Sequence, residues 1–490
     1  MKRSVISLTL LSLLTQVIAF GKSVLMGQIF GISVELDGYY LAQVIPALIN
    51  AVILGAIQSG FVPVYMKLRE NSEEALHLRS AILRKLVVIL AFATLAAMVL
   101  TPWIVGLIAP GAEELVKENA IRCYRVIALA MSINLVADYL GLVLNAEMNF
   151  GVVALAASFN VLAATLLLVM WPEWGLDVLL WGLMLGAGLQ LLVNYLRLVA
   201  MGKGFIARPA VHPLLGEAGR IGVKILPGLV FSNLSASIPQ IAVATLGAGA
   251  ISTYGYGSRF HGVFVQTLVM GTSTILLSHF AVHAANKSHR ELAEMLRRAF
   301  VPLMLLSMVA LLWVHLTGQS ALRILFESGK MTGDDIGSIY EVWLVLTAAL
   351  PVIFWGIFSA KVLQAMGHTG QLSVLALIGV VATSVAAWLG MGWGVGGVAG
   401  AVGVGYSIVT ILTYREAKRA LSGPILQLSD WTVTVWIVVV MLGIAFVGSI
   451  ALETRGASDI FRVVTNTLVA IILIGLGYRL HIVRGIHESR

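Results

Sequence analysis

Charged and amide side chains are scarce in this chain, and the few that interrupt its apolar runs are the ones that could do chemistry. Residues 258–277 read SRFHGVFVQTLVMGTSTILL, with Arg259, His261 and Gln266 at the head of a stretch otherwise suited to lipid. A second group stands near the N-terminus: Gln16 and Lys22, then Gln43, Asn50 and Gln58. A third comprises Asn233, Ser235 and Gln240. A charged side chain in a bilayer-spanning helix costs about 2.5–3.5 kcal/mol on insertion scales, so it normally faces a bundle interior and has a purpose. Two cations, Lys22 and Arg259, among many amide donors and few acids suit an anion such as phosphate. The alternative is structural: amides hydrogen-bond helices together, and Lys22 snorkels to the interface. Helix bonding is the preferred reading for the amides alone, an anion contact for Arg259.

The acids are fewer still. Asp138, in MSINLVADYLGLVL, is the only one well inside a predicted span. A coupling proton or cation, or a pairing with a neighbouring helix, both account for it. Asp37 is expected just outside, in the first external connection. No Walker motif, paired catalytic carboxylates or metal-ligand spacing occurs, so neither a cofactor nor a metal is expected. The run GWGVGGVAGAVGVGYS contains a G-x-G-x-x-A pattern, but no hydrophilic βαβ context precedes it. Its glycines are expected to let a helix pack closely on a neighbour. The single cysteine, Cys123, excludes an intramolecular disulfide.

Composition says what must position these groups. Of 490 residues, 59% are hydrophobic and 11% charged, and the mean hydropathy is +0.94; soluble proteins carry about 25% charged residues. Apolar runs long enough to cross about 30 Å of hydrocarbon recur from end to end without strand-like alternation. The expected fold class is therefore an all-α integral membrane protein. Its fourteen predicted spans lie at approximately 4–30, 40–66, 86–109, 121–145, 149–171, 176–198, 222–247, 251–283, 299–317, 338–362, 371–391, 395–414, 431–452 and 461–479. The N-terminus resembles a signal peptide without a cleavage site and is read as a retained first span. Pro46, Pro227, Pro239 and Pro351 interrupt spans where hinged segments would permit alternating access.

Of the 32 Lys and Arg residues, 23 lie at the N-terminus, on even-numbered connections or at the C-terminus, and 7 on odd-numbered ones. The bias predicts cytoplasmic termini, and it explains the net charge of +8 better than nucleic-acid binding does. Span two, GYYLAQVIPALINAVILGAIQSGFVPVYMKL, then RENSEEALHLRSAILRKL, parallels span eight, YGYGSRFHGVFVQTLVMGTSTILLSHFAVHAA, then NKSHRELAEMLRRAF. The parallel predicts two six-span halves, 1–210 and 211–422, with two further spans in 423–490. Parallel repeats of this kind build transporters with a central cavity.

The segments GFVPVYMKL, TPWIVGLIAPG, RFHGVFVQTLVMGTSTILL and ILFESGKMT, in that order, resemble the MurJ (MviN) lipid II flippases of the multidrug/oligosaccharidyl-lipid/polysaccharide exporter superfamily. The resemblance covers most of the chain. It implies two six-helix bundles around a cavity, and two last spans forming a groove for a lipid tail. It also implies an undecaprenyl-pyrophosphate-linked sugar as substrate, moved from the inner to the outer leaflet of the bacterial cytoplasmic membrane. Carried over by position, Arg259 falls on a cavity arginine and Asp37 on an acid near the external gate. Lys22 stands where the family has arginine. Gln16 and Asn50 stand where lipid II flippases carry two further arginines, a departure that puts lipid II itself in question and leaves a lipid-linked sugar as the substrate class.

The expected substrate-binding set is thus Arg259, Lys22, Asn50, Gln16, His261 and Gln266, with Asp37 and Asp138 as gate or coupling residues. The expected partners are the lipid-linked glycan, the bilayer and, if Asp138 couples transport, an ion; the expected state is a monomer. Two rival functions are a cation-coupled drug or metabolite antiporter, which calls for an acidic cavity, and a membrane glycan polymerase. The polymerase needs a large external loop, and the longest external connection, 318–337, is only about twenty residues.

Overall fold

The computed structural model describes residues 2–68, 70–206, 213–270, 288–421 and 458–488, with 280, 283, 425–427, 430, 432, 435–437, 439–441 and 443–444. The chain folds as two compact units, 1–252 and 253–490.

In the first unit the chain forms α1 (Lys2–Phe30), α2 (Val34–Leu68), α3 (Ser72–Ile108), α4 (Glu114–Ala146), α5 (Phe150–Met170), α6 (Leu176–Ala200) and α7 (Leu215–Val243). α2 packs on α4 and α7, α6 on α4 and α5, and α1 on α5. Small residues set these distances. A Cβ at Gly60 of α2 would strike the Ala218 carbonyl of α7, and one at Gly222 would come within 2.8 Å of the Ala56 oxygen. Without a hydrophobic drive between helices in lipid, such backbone approach is what holds neighbours together. At one end of this bundle Phe61 packs on Tyr65 and Tyr139, with ring centroids 4.9 and 5.4 Å apart. The opposite face of α3 exposes Ile89, Phe92, Val99, Trp103 and Leu107. An apolar stripe of that length bared on one helix face is a lipid contact.

In the second unit α8 (Ala250–Phe264), which begins at the end of the first unit, runs into a π-helical turn over Val265–Met270. There follow α9 (His289–Phe326), α10 (Gly333–Ala348), α11 (Leu350–Ala365), α12 (Thr369–Gly390), α13 (Gly394–Ala420) and α14 (Asp459–Glu488). A capping box opens α10: Thr332 N–H donates to Asp335 Oδ2 at 2.8 Å and Asp335 N–H to Thr332 Oγ1 at 3.2 Å. α10 and α11 meet at a 42° bend beside Pro351. The glycines of α13 do pack closely: Gly405 lies on Thr383 of α12, and Thr410 lies on Gly356 of α11. α14 is fastened to α9 by Trp313 Nε1–H on Thr467 Oγ1 (3.0 Å) and Asn466 Nδ2–H on the Leu316 carbonyl (3.4 Å).

Among the described residues, eight helices are long and apolar enough to cross a bilayer, or nine with the bent pair α10–α11. The described fold is helical, with membrane-length apolar helices, as the composition requires. Several boundaries differ from the sequence reading, those of the third and ninth spans most. The third and ninth predicted spans start earlier, at Ser72 and His289, because the charged stretches ahead of them keep helical spacing and continue the same helix beyond the apolar run. Most of predicted span 431–452, and residues 271–279 of span eight, lie outside the described residues.

Candidate functional site

Asp37 is not in a connection. The turn between α1 and α2 is three residues long: Gly31 takes a left-handed φ of 63°, and Ser33 opens α2 by accepting the Leu36 N–H on its Oγ at 3.3 Å. Asp37 therefore falls in the first turn of α2, with 0% of its surface exposed. Its carboxylate takes the N–H of Gly249 on Oδ2 at 2.6 Å and the N–H of Ser252 on Oδ1 at 2.7 Å. Both amides stand at the start of α8, where no earlier turn of helix supplies acceptors and where the helix dipole also favours an anion. One carboxylate thus ties the beginning of α2 to the turn after α7.

Gln16 and Lys22 both sit on α1, which packs on α5; Gln16 is exposed and Lys22 half-buried. Asn50 lies one turn beyond Pro46 on α2, at a cleft between α2, α3 and α4 with about 50 Å³ of room for water. Thr94 and Ser132 line it and share a 2.6 Å hydroxyl hydrogen bond, while Asn50 Oδ1 is buried without a protein partner.

Asp138 pairs with one neighbouring helix and with its own. Its carboxylate accepts Gln190 Nε2–H at 2.8 Å and Asn134 Nδ2–H at 3.1 Å. Asn160 of α5 joins the same group. Asn134, Asn160 and Gln190 were not among the sequence candidates. For Asn134 and Gln190 the signal is an amide at four-residue spacing from another polar group inside an apolar run, as in Asn134–Asp138 and Gln190–Asn194; Asn160, with Ala156 and Ala164 at that spacing, carries no such signal.

The second unit carries the other candidates on one stretch. Arg259 is half-buried, His261 is 8% exposed with Nδ1 lacking a partner, and Gln266 is exposed within the π turn. The face beside them is aromatic: Phe260 and Phe264 lie 5.2 and 6.3 Å from Trp343, which is edge-on to Trp313 at 6.0 Å. Gly257 lets α8 approach the backbone of α10, a Cβ there falling 3.2 Å from the Trp343 nitrogen. Single π turns often mark functional places in helices.

Long helices that bare their apolar faces and hold amides, a carboxylate and cations within define a multi-pass membrane protein of the helical transporter class. The family model of the lipid II flippase MurJ matches residues 26–468, and the chain belongs to that family. A probable lipid II flippase MurJ of Thermotoga maritima is 23% identical over 443 residues, covering 88% of each chain. Another, of Bdellovibrio bacteriovorus, is 25% identical over 410 residues, 79% of this chain and 76% of that one. Among solved structures, a lipid II flippase MurJ in an inward closed conformation matches with TM-score 0.82 at 17% identity, over 98% of this chain and 100% of that one. An inward-facing multidrug resistance MATE family transporter of the MOP superfamily matches with TM-score 0.70 at 14% identity, over 83% and 94%. At these identities the structural likeness is one of fold.

Proposed function

We propose that this protein is a flippase that moves an undecaprenyl-pyrophosphate-linked sugar, lipid II or a related polysaccharide precursor, from the inner to the outer leaflet of the cytoplasmic membrane by alternating access, and that it transports rather than catalyses. The observation that carries this reading is the family match over residues 26–468. Arg259, a half-buried cation on an apolar helix, supports it. In this reading Arg259 and Lys22 contact the pyrophosphate, with Gln16, Asn50, His261 and Gln266 as further polar contacts. Asp37 holds the external gate. The working division is two six-span repeats, 1–210 and 211–422, with two added spans in 423–490, and the protein acts as a monomer.

The charge bias supports cytoplasmic termini. Exposed Trp103, Trp174, Trp181, Trp388 and Trp393 flank odd-numbered connections and exposed Trp436 an even-numbered one, as expected for aromatic belts at both interfaces. With Cys123 replaced, single cysteines at residues 76, 289 and 420 should be shielded from impermeant thiol reagents in intact cells, while those at 116, 330 and 456 react. Labelling at 289 without labelling at 330 overturns the orientation.

A pyrophosphate carries about two negative charges, and each is worth about 2.3 kcal/mol per 100 mV. With the cell interior negative, outward movement of the headgroup runs downhill. Collapsing the membrane potential in proteoliposomes should therefore trap a lipid-linked sugar in the leaflet where it was loaded. Transport that persists at zero potential under a proton gradient alone contradicts this driving force; absence of any flipping contradicts the flippase reading itself.

A further inference from the structure

Two stretches of sequence, one in each half, share a pattern. Residues 73–81, near the start of α3, read EEALHLRSA, and residues 291–299, near the start of α9, read ELAEMLRRA. Both fit E-x-A-x-x-L-R-x-A. The leucine, Leu78 or Leu296, is wholly buried. The arginine beside it does not stay in solvent as a charge at a helix start normally would. Arg79 is 2% exposed and the Arg297 side chain 15%. Each arginine grips the chain that has just left the last helix of its half.

In the first half that chain is 203–206, after α6, where Gly202 ends the helix with a left-handed φ of 67°. Four successive residues are then fixed. Lys203 pairs with Glu147 at 3.5 Å, and the same carboxylate oxygen accepts the Tyr65 hydroxyl at 2.9 Å. The Gly204 carbonyl accepts two N–H groups of Arg79, Nε at 2.9 Å and Nη2 at 2.8 Å. Phe205 sets its ring under that guanidinium, 5.9 Å from its centroid. Ile206 N–H donates to Ser80 Oγ at 3.1 Å. In the second half the described chain after α13 includes 425–427 and 430. Ile425 and Leu426 are buried in the apolar cluster that holds Leu296. Arg297 Nε–H donates to Asp430 Oδ2 at 2.9 Å, and the Gln427 N–H to the same oxygen at 2.8 Å. The acceptor differs, a carbonyl in one half and a carboxylate in the other. The gripping arginine and the place gripped recur. Ordering irregular chain costs backbone entropy, and a plain surface connection is left loose.

We propose that Arg79 and Arg297 are paired clasps, each making the strap that leaves its half a rigid part of that half, and that both stay shut while the halves move. The movement rests on the flippase reading; the clasps themselves do not. Release of the first strap would have to break four neighbouring contacts together, because one backbone carries them all. The test uses full-length protein lacking Cys123 and carrying Ser80→Cys with Ile206→Cys, in nanodiscs without lipid substrate. The 3.1 Å contact sets this pair side by side, so copper phenanthroline should close a disulfide quickly. Arg79→Gln should slow closure about tenfold or more. Arg79→Lys, which cannot fork onto the carbonyl, should slow it too and serves where the glutamine variant is not monodisperse. In the second half a Leu426→Cys reporter, at a position 8% exposed and again without Cys123, should react with a maleimide about tenfold faster after Arg297→Gln. In proteoliposomes the oxidised Ser80→Cys/Ile206→Cys protein should flip as fast as its reduced form. A disulfide that halts flipping until it is reduced shows that the strap must open, and overturns the proposal. So do a pair that fails to close, closure that ignores Arg79, and labelling at 426 that ignores Arg297. Protein that flips in neither form counts against the flippase reading, and the cross-linking and labelling still decide the clasps.

Discussion

Replacing Arg259 by alanine is expected to lower headgroup binding about ten- to a hundredfold while the amount of folded protein stays unchanged. The size follows from one charge-assisted contact, worth about 1.5–3 kcal/mol. The unchanged yield follows from where α8 is anchored. Tyr256, Gly257, Phe260 and Phe264 carry its packing: Tyr256 and Phe260 each lie 5.9 Å from Phe326, and Gly257 lies against Trp343. These contacts belong to other side chains, so the Arg259 substitution leaves them in place. Arg259→Lys should bind at an intermediate level, since an ammonium replaces the bidentate fork with a point charge. Lys22→Arg should be tolerated. The measurement is binding of an undecaprenyl-pyrophosphate lipid to purified protein in nanodiscs, normalised to monodisperse protein. A fall in folded yield with binding per molecule intact would make Arg259 a helix tie and end the headgroup assignment.

Arg259 was legible because a charge within an apolar run needs no partner to be noticed. The same holds for the membrane class and for most helices, whose apolar runs are longer than any soluble helix needs. What was not legible depended on distances between helices. Asp138 stood out alone, but its partner Gln190 lies 52 residues further along, and Asn160, which bonds Gln190 and Asn134 in turn, lies 22 further; what joins them is the closeness that Gly182 and Gly186 grant α5. Asp37 read as a loop acid because apolar character starts after it; the turn at Gly31–Ser33 was shorter than hydropathy alone suggests, so the helix had already begun. The charged starts of α3 and α9 read as connections for the opposite reason, since hydropathy marks where lipid ends and not where a helix ends.

Asp37→Ala is expected to release the turn after α7 from α2, and with it the external gate on the proposed orientation. The buried carboxylate is the shared acceptor of two backbone N–H groups, at 2.6 and 2.7 Å, at the start of α8. Alanine takes that acceptor from both buried donors, at about 1–3 kcal/mol each. Asn keeps the volume but offers one oxygen, and its –NH2 then faces a second donor. Either change should move a two-state gate by about tenfold or more toward the open form, since each 1.4 kcal/mol is tenfold. Ala244, at the end of α7, reports on this movement, because it is only 3% exposed beside the turn that Asp37 holds. In a background lacking Cys123, an Ala244→Cys reporter should react with an impermeant maleimide from outside about tenfold faster once Asp37 is replaced, and flipping should fall. Asp37→Glu carries the charge one methylene further and should recover part of both. A gate role is excluded if labelling at residue 244 stays at its wild-type rate in folded Asp37→Asn protein and each molecule still flips normally; Asp37 would then be only a helix cap that happens to join two elements.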